Sequence, residues 1–219
     1  MPISKIDASS LGGTALSSSI TTASGLSLGI TEADQWRMTS DHSFSGTYFI
    51  TSNWERDDTN FSKIGTGLTE SSGVFSFPST GIYHIKTNFY YKASGNDVTY
   101  AGGEIYTTPD NGTYTADTEG YQFIYNGMSG DTEHSVTTIS TIFDVTNVST
   151  HKFKIRATIS ATGLLKGSTT INKTYVTVFR LGDTWNLAIV ILENKSVIVG
   201  NDKTFCNRHN TSPNNNFFS

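Results

Sequence analysis

A lone cysteine, Cys206, is all the thiol chemistry the chain has, so no intrachain disulfide framework holds it and folding must rest on packing. Charged residues are also scarce, at 16%, and they leave a formal net charge of −4. Without a basic excess there is no electrostatic drive toward nucleic acid, and no such partner is expected. No apolar run approaches the length of a membrane span, and the first residues lack the charged-then-apolar layout of a secretory signal. Membrane insertion and a cleaved leader are therefore not expected. Catalytic signatures are missing as well. His42, His84, His134, His151 and His209 stand outside any His-x-x-x-His or His-Glu pairing, and there is no Gly-x-Ser-x-Gly elbow or phosphate-binding loop. The expectation is a protein that is not an enzyme and uses no metal or cofactor.

What the chain has instead is strand and turn chemistry. With 219 residues, 20 glycines, few prolines and abundant Thr, Ser and Asn, it suits one β-sandwich of many short strands plus extensions. The most informative stretch runs from Gly65 to Lys92. Val74–Phe77 reads as one strand, Pro78-Ser79-Thr80-Gly81 as a tight turn and Ile82–Tyr91 as a long second strand. Pro78 removes a ladder donor and Gly81 is free to take positive φ, which punctuates the two runs. Side chains alternate along a strand, so Tyr83, Ile85, Phe89 and Tyr91 share one face while Ile82 and Tyr90 lie on the other. Apolar groups on both faces imply a sandwich core on one side and a second sheet or subunit on the other.

The run Gly73-x-Phe75-x-Phe77-Pro78-x-x-Gly81-x-Tyr83-x-Ile85 resembles the signature of the complement-1q globular-head and tumour-necrosis-factor-like superfamily. With Lys63-Ile64-Gly65-Thr66-Gly67 before it and Phe179-Arg180-Leu181-Gly182-Asp183-Thr184 closing the domain, it looks like the version carried by virion proteins of marine tailed bacteriophages, and the resemblance covers roughly Ile30 to Thr184. It implies an all-β, antiparallel two-sheet jelly roll that assembles as a homotrimer, with aromatic residues from the outer face of one sheet filling the axis. On that basis, and on an aromatic share of 12%, Ile82, Tyr90, Tyr175 and Phe179 are the candidate trimer-interface residues. The function implied is a structural virion protein, a trimeric fibre, knob or capsid decoration protein bound to other virion proteins at the virion surface and assembled in the bacterial host cytoplasm. The alternative is a receptor-binding adhesin module that recognises host surface glycans. A glycan-degrading enzyme is a third class, disfavoured because no carboxylate constellation stands out. Some members of the family bind calcium through loop carboxylates, and no such ligand set falls on particular residues here.

Residues 1–29 are Ser, Thr, Gly and Ala with isolated apolar anchors, among them Ile3, Ile6, Leu11 and Leu16. Such a stretch alone does not offset an ordering entropy of roughly 1–2 kcal/mol per residue, so it is expected to be an attachment arm on a neighbour or a larger particle, with a disordered leader as the other reading. In the domain, residues 30–184, Gln35–Met38 and Thr47–Ile50 read as strands around a turn at Asp41–Gly46. Asp57 and Asp58, beside Trp54 and Arg56, invite an acid-base interpretation, but neighbours on an extended chain point apart, and a solvated turn is expected. Pro109-Asp110-Asn111-Gly112 signals a type I′ hairpin turn between a strand over Thr99–Thr108 and one returning from Thr113. Gly120–Tyr125 reads as another strand or a loop edge, and Ser135–Val145 and Thr174–Leu181 read as further strands. His151–Ser160 alternates Phe153, Ile155, Ala157 and Ile159 with Lys152, Lys154, Arg156 and Thr158, a basic outward face suited to solvent, phosphate or sulfated glycan. The count comes to about eight main strands, as a jelly roll requires. Asp131-Thr132-Glu133-His134 is the densest titratable cluster, and a loop tip explains it as easily as an acid-base site. Residues 185–219 read as an apolar hairpin, Trp185–Leu192 with Ser196–Val199, and a polar Asn-rich tail.

Overall fold

Alternation along one strand decides the architecture. In the computed structural model, which describes residues 29–94, 98–124, 133–184, 188–189 and 198–199, the strand Gly81–Ala93 buries every odd-numbered residue and leaves every even-numbered one partly open. Every regular element among the described residues is a strand. Up to Gly182 they are, in chain order, β1 (Ala33–Met38), β2 (His42–Phe49), β3 (Trp54–Arg56), β4 (Lys63–Ile64), β5 (Thr69–Ser71), β6 (Val74–Ser76), β7 (Gly81–Ala93), β8 (Val98–Thr108), β9 (Thr115–Ile124), β10 (His134–Val145), β11 (Lys152–Leu165) and β12 (Tyr175–Gly182). The expected main strands are present, and the short edge pieces β3, β4 and β5 are additions that no periodicity over two or three residues reveals.

All pairings are antiparallel. One layer is centred on β7, which lies between β10 and β12, with β1 beyond β12 and β3 and β4 along β1. The other is centred on β11, which has β8 on one side and β6 and β2 on the other, with β9 beyond β8 and β5 beyond β6. The layers join where Gly163–Leu165 of β11 pairs with Tyr91–Ala93 of β7. β6 and β7 do not pair with each other; the turn at Pro78–Thr80 carries the chain from one layer to the other. The result is a two-sheet jelly-roll sandwich.

The core is what the two central strands bring together. Tyr83, Ile85, Phe89 and Tyr91 of β7 share one buried cluster with Phe153, Ile155, Ala157 and Ile159 of β11. Phe75 stacks on Phe153 with ring centres 4.8 Å apart, and Trp36 and Trp54 of the first layer meet Phe75 edge-on at 5.9 and 5.3 Å. Each such side chain contributes roughly 1.5–3 kcal/mol by leaving water, which is how a chain without cross-links stays folded.

Three local readings are corrected. Asp41–Gly46 is not a turn: β2 begins at His42, where His42 stacks on Tyr48 at 4.0 Å, and Gly46 (φ 81°) absorbs a bend opposite the register shift between Ile159 and Gly163. The β8–β9 connection is wider than a type I′ turn. Among its residues only Asn111 has positive φ, 58°, and Asp110 organises the loop instead, accepting the N–H groups of Gly112 and Thr113 at 2.8 and 3.2 Å and the Thr108 hydroxyl at 2.7 Å. Gly120 does not open a separate strand but lies within the continuous β9.

From Asp183 onward the chain forms a second unit, in which β13 (Ala188–Ile189) pairs with β14 (Ile198–Val199). The arm residues Ile3, Ile6, Leu11 and Leu16, the rest of the expected hairpin and the tail with Cys206 lie outside the described residues.

Candidate functional site

Register across β10, β7 and β12 sorts the outer face of the first layer into rows. Val136 stands opposite Tyr90; Thr138 opposite Asn88, which faces Tyr175; Ile142 opposite His84, which faces Phe179; and Asp144 opposite Ile82. The structure thus brings Ile82, Tyr90, Tyr175 and Phe179 onto one surface, each half-buried. The most open apolar groups on it are others. Ile142 is 64% exposed and Val136 46%. The sequence gives little sign of either, because Thr138 and Ser140, which share their face of β10, dilute the apolar pattern. Tyr90 is flanked by His134, ring centres 5.2 Å apart. At the corner beneath, Gly81 has φ 151° and the Tyr83 hydroxyl donates to the Ser79 carbonyl at 3.0 Å.

The opposite layer carries a groove of about 520 Å³ across β5, β6 and β11, closed on one side by the β8–β9 loop. Lys152 and Lys154 reach it from β11. The Lys152 ammonium donates to Ser76 Oγ at 2.9 Å, and that of Lys154 sits 3.8 Å from the centre of the Tyr114 ring. Burial raises the Tyr114 hydroxyl above its ordinary range. Glu70, also in the lining, accepts the Gly73 N–H at 2.6 Å.

The expected basic outer face of β11 is basic only at this end. Arg156 donates to Glu104 at 2.9 and 3.0 Å beneath the Tyr106 and Phe49 rings, and Thr158 is buried. Burial alone would raise the Glu104 carboxyl, but hydrogen bonds from Arg156 and the Tyr121 hydroxyl outweigh it and hold the group below the usual carboxylate range.

Asp57 is not in a solvated turn. It is 1% exposed and accepts bonds from Arg37 at 3.0 Å, Asn172 at 2.7 Å and Gln35 at 3.1 Å. Those bonds and the Thr59 N–H overcome the upward push of burial and lower its carboxyl. Asp58 is exposed, yet it too meets Arg37, at 2.5 Å, and Glu55 takes the remaining side of the guanidinium at 2.7 Å. One buried arginine ties three carboxylates together. The arrangement holds β1 to β3 and leaves no carboxylate pair poised over a cleft. Of the cluster near His134, Asp131 and Thr132 lie outside the described residues, and no group of three metal-ligating side chains occurs among those described.

No family model and no curated protein matches the chain. Among solved structures it is similar to an Eiger TNF from S. frugiperda, at 11% identity and a TM-score of 0.51, over 73% of this chain and 98% of that one. It is also similar to murine APRIL at pH 5.0, at 13% identity and a TM-score of 0.48, over 68% of this chain and 98% of that one. At such identity the likeness concerns the fold, and the fold is that of the tumour-necrosis-factor-like jelly rolls.

Proposed function

We propose that the chain is a trimeric jelly-roll module serving as a structural virion protein of a tailed bacteriophage, a fibre, knob or capsid decoration protein attached through its N-terminal arm. One observation carries the trimer. The outer face of β10, β7 and β12 leaves Ile142 and Val136 open beside the half-buried Tyr90, Tyr175, Ile82 and Phe179, although the other face of the same sheet already lines the core. Open apolar groups on a sheet that needs no further core, here interspersed with His84, Lys86, Asn88, Thr138 and Ser140, make a mixed face of the kind a symmetric copy covers. The virion role is supported by the wording of the Gly65–Lys92 motif and by the anchored, Ser- and Thr-rich composition of residues 1–29.

Light scattering on the full chain at micromolar concentration is expected to return the trimer mass, and a monodisperse monomer overturns the reading. Deleting residues 1–28 is expected to leave a cooperatively melting domain that no longer joins particles; undiminished occupancy would overturn the arm. A second reading, an adhesin module for host surface glycans, is favoured by the groove on the opposite layer, which a trimer built on the β7 face leaves open.

A further inference from the structure

The lining of the groove sets two lysines against a single carboxylate. Lys152 and Lys154 are two residues apart on β11, so both project on one face, their backbones roughly 7 Å apart. The next residue outward on that face, Arg156, is neutralised by Glu104, whereas neither lysine forms an ion pair among the described residues. Both ammonium groups are nevertheless held in place, one by the Ser76 hydroxyl at 2.9 Å and the other against the Tyr114 ring at 3.8 Å. The single carboxylate of the lining, Glu70, has one oxygen engaged by the Gly73 N–H, and Asp110 turns its Oδ1 to the amides of its own loop. Two cations therefore face one partly engaged anion. Around them the lining supplies the Ser71 hydroxyl and the Asn111 amide, and the volume of about 520 Å³ is that of a small-ligand site.

We propose that this groove binds an acidic saccharide, a sugar chain bearing carboxylate or sulfate groups, with Lys152 and Lys154 on the anionic groups and Ser71 and Asn111 on ring hydroxyls. Lysine suits this task because it places a compact, rotatable donor without demanding planar geometry. A nucleic-acid ligand is disfavoured by the overall charge of −4. The inference rests on the glycan-binding reading and is independent of the trimer.

The test is calorimetric titration of the full chain with a uronic-acid oligosaccharide, a sulfated one, a carboxyl-reduced neutral counterpart and inorganic sulfate, at low and physiological salt. A charged saccharide is expected to bind, with the neutral counterpart and the K152Q/K154Q double variant each weaker by about tenfold or more and Glu70→Gln as tight as the parent or tighter. Added salt is expected to weaken the interaction. Should the double variant melt early, Lys154→Gln alone carries the comparison, because that ammonium touches only a ring face. Equal binding of the neutral sugar, or inorganic sulfate competing as well as the saccharide, overturns the acidic-sugar assignment. Undiminished affinity in the lysine variants overturns this site while leaving a glycan adhesin in place, and no saccharide binding at all overturns both.

Discussion

Ile142 of β10 and Phe179 of β12 lie opposite the same residue of β7, His84, so an open aliphatic group and a half-buried aromatic flank one imidazole across three strands. A carboxylate placed there would have to be desolvated in any assembly through this face. Ile142→Asp is expected to convert the trimer to monomer in light scattering while leaving the melting of the isolated domain nearly unchanged, since the side chain is solvent-exposed in one chain. Tyr90→Asp probes the far end of the surface. If both variants keep the parent's size, the contact lies on another face.

The layered core was legible because β7 and β11 alternate cleanly over many residues; that the turn at Pro78–Thr80 carries the chain from one layer to the other is set by the pairing of β6 with β11 and of β7 with β10 and β12. What stayed hidden is non-local or competitive. Arg37 gathers Glu55, Asp57 and Asp58 only because β1 and β3 pair, and neighbouring acids that point apart on a free strand still reach one long guanidinium. At the β8–β9 loop the Asp110 side chain captures backbone donors that an Asn-Gly turn would otherwise set, and local propensity loses. Lys152 and Lys154 were visible as a basic face, but the register that brings β6 against β11, and so Ser76 against Lys152, exists only in the fold.

Removing the shared cation tests whether that carboxylate cluster holds the β1 edge. Arg37→Met leaves Asp57 buried without its countercharge, and such a loss typically costs about 3–5 kcal/mol. A large drop in the denaturant midpoint is the expected result. Arg37→Lys is expected to recover little, because one ammonium does not replace the fork that meets Glu55, Asp57 and Asp58 together. A midpoint within experimental error of the parent for Arg37→Met would show the cluster to be ornamental.

Acid should unfold the domain through two buried carboxylates. Asp57 and Glu104 are both held below their ordinary values, so in the folded chain they bind protons less readily than in the unfolded chain. The unfolded state takes up protons first as pH falls, and the stability they confer is intact above their unfolded values, about 4, and declines as pH drops through the folded ones. A melting temperature flat from neutral pH to about 5 and falling below about 4 is expected. Glu104→Gln should melt lower at neutral pH, with Arg156 unpaired, and lose less on acidification. A profile that stays flat into strong acid contradicts the assignment.

The corner between layers depends on the missing side chain at Gly81. Its φ of 151° is one that L side chains rarely adopt, and a Cβ would stand 2.7 Å from the Gly182 carbonyl oxygen and against Arg180 Nε. Neither neighbour retreats easily. Gly182 pairs with Ile82 just past a register shift, and Arg180 Nε is anchored to the Thr80 carbonyl at 3.0 Å. Gly81→Val is therefore expected to cost more than about 1 kcal/mol, read as a lower denaturant midpoint with an unchanged slope. Ser79→Ala makes the contrast. Its hydroxyl lies 2.9 Å from the Tyr83 hydroxyl, but Tyr83 keeps its bond to the Ser79 carbonyl when the side chain is removed, so the loss should stay below about 1 kcal/mol. If Gly81→Val melts with the parent while Ser79→Ala does not, the turn is held by its hydroxyl pair and not by backbone conformation.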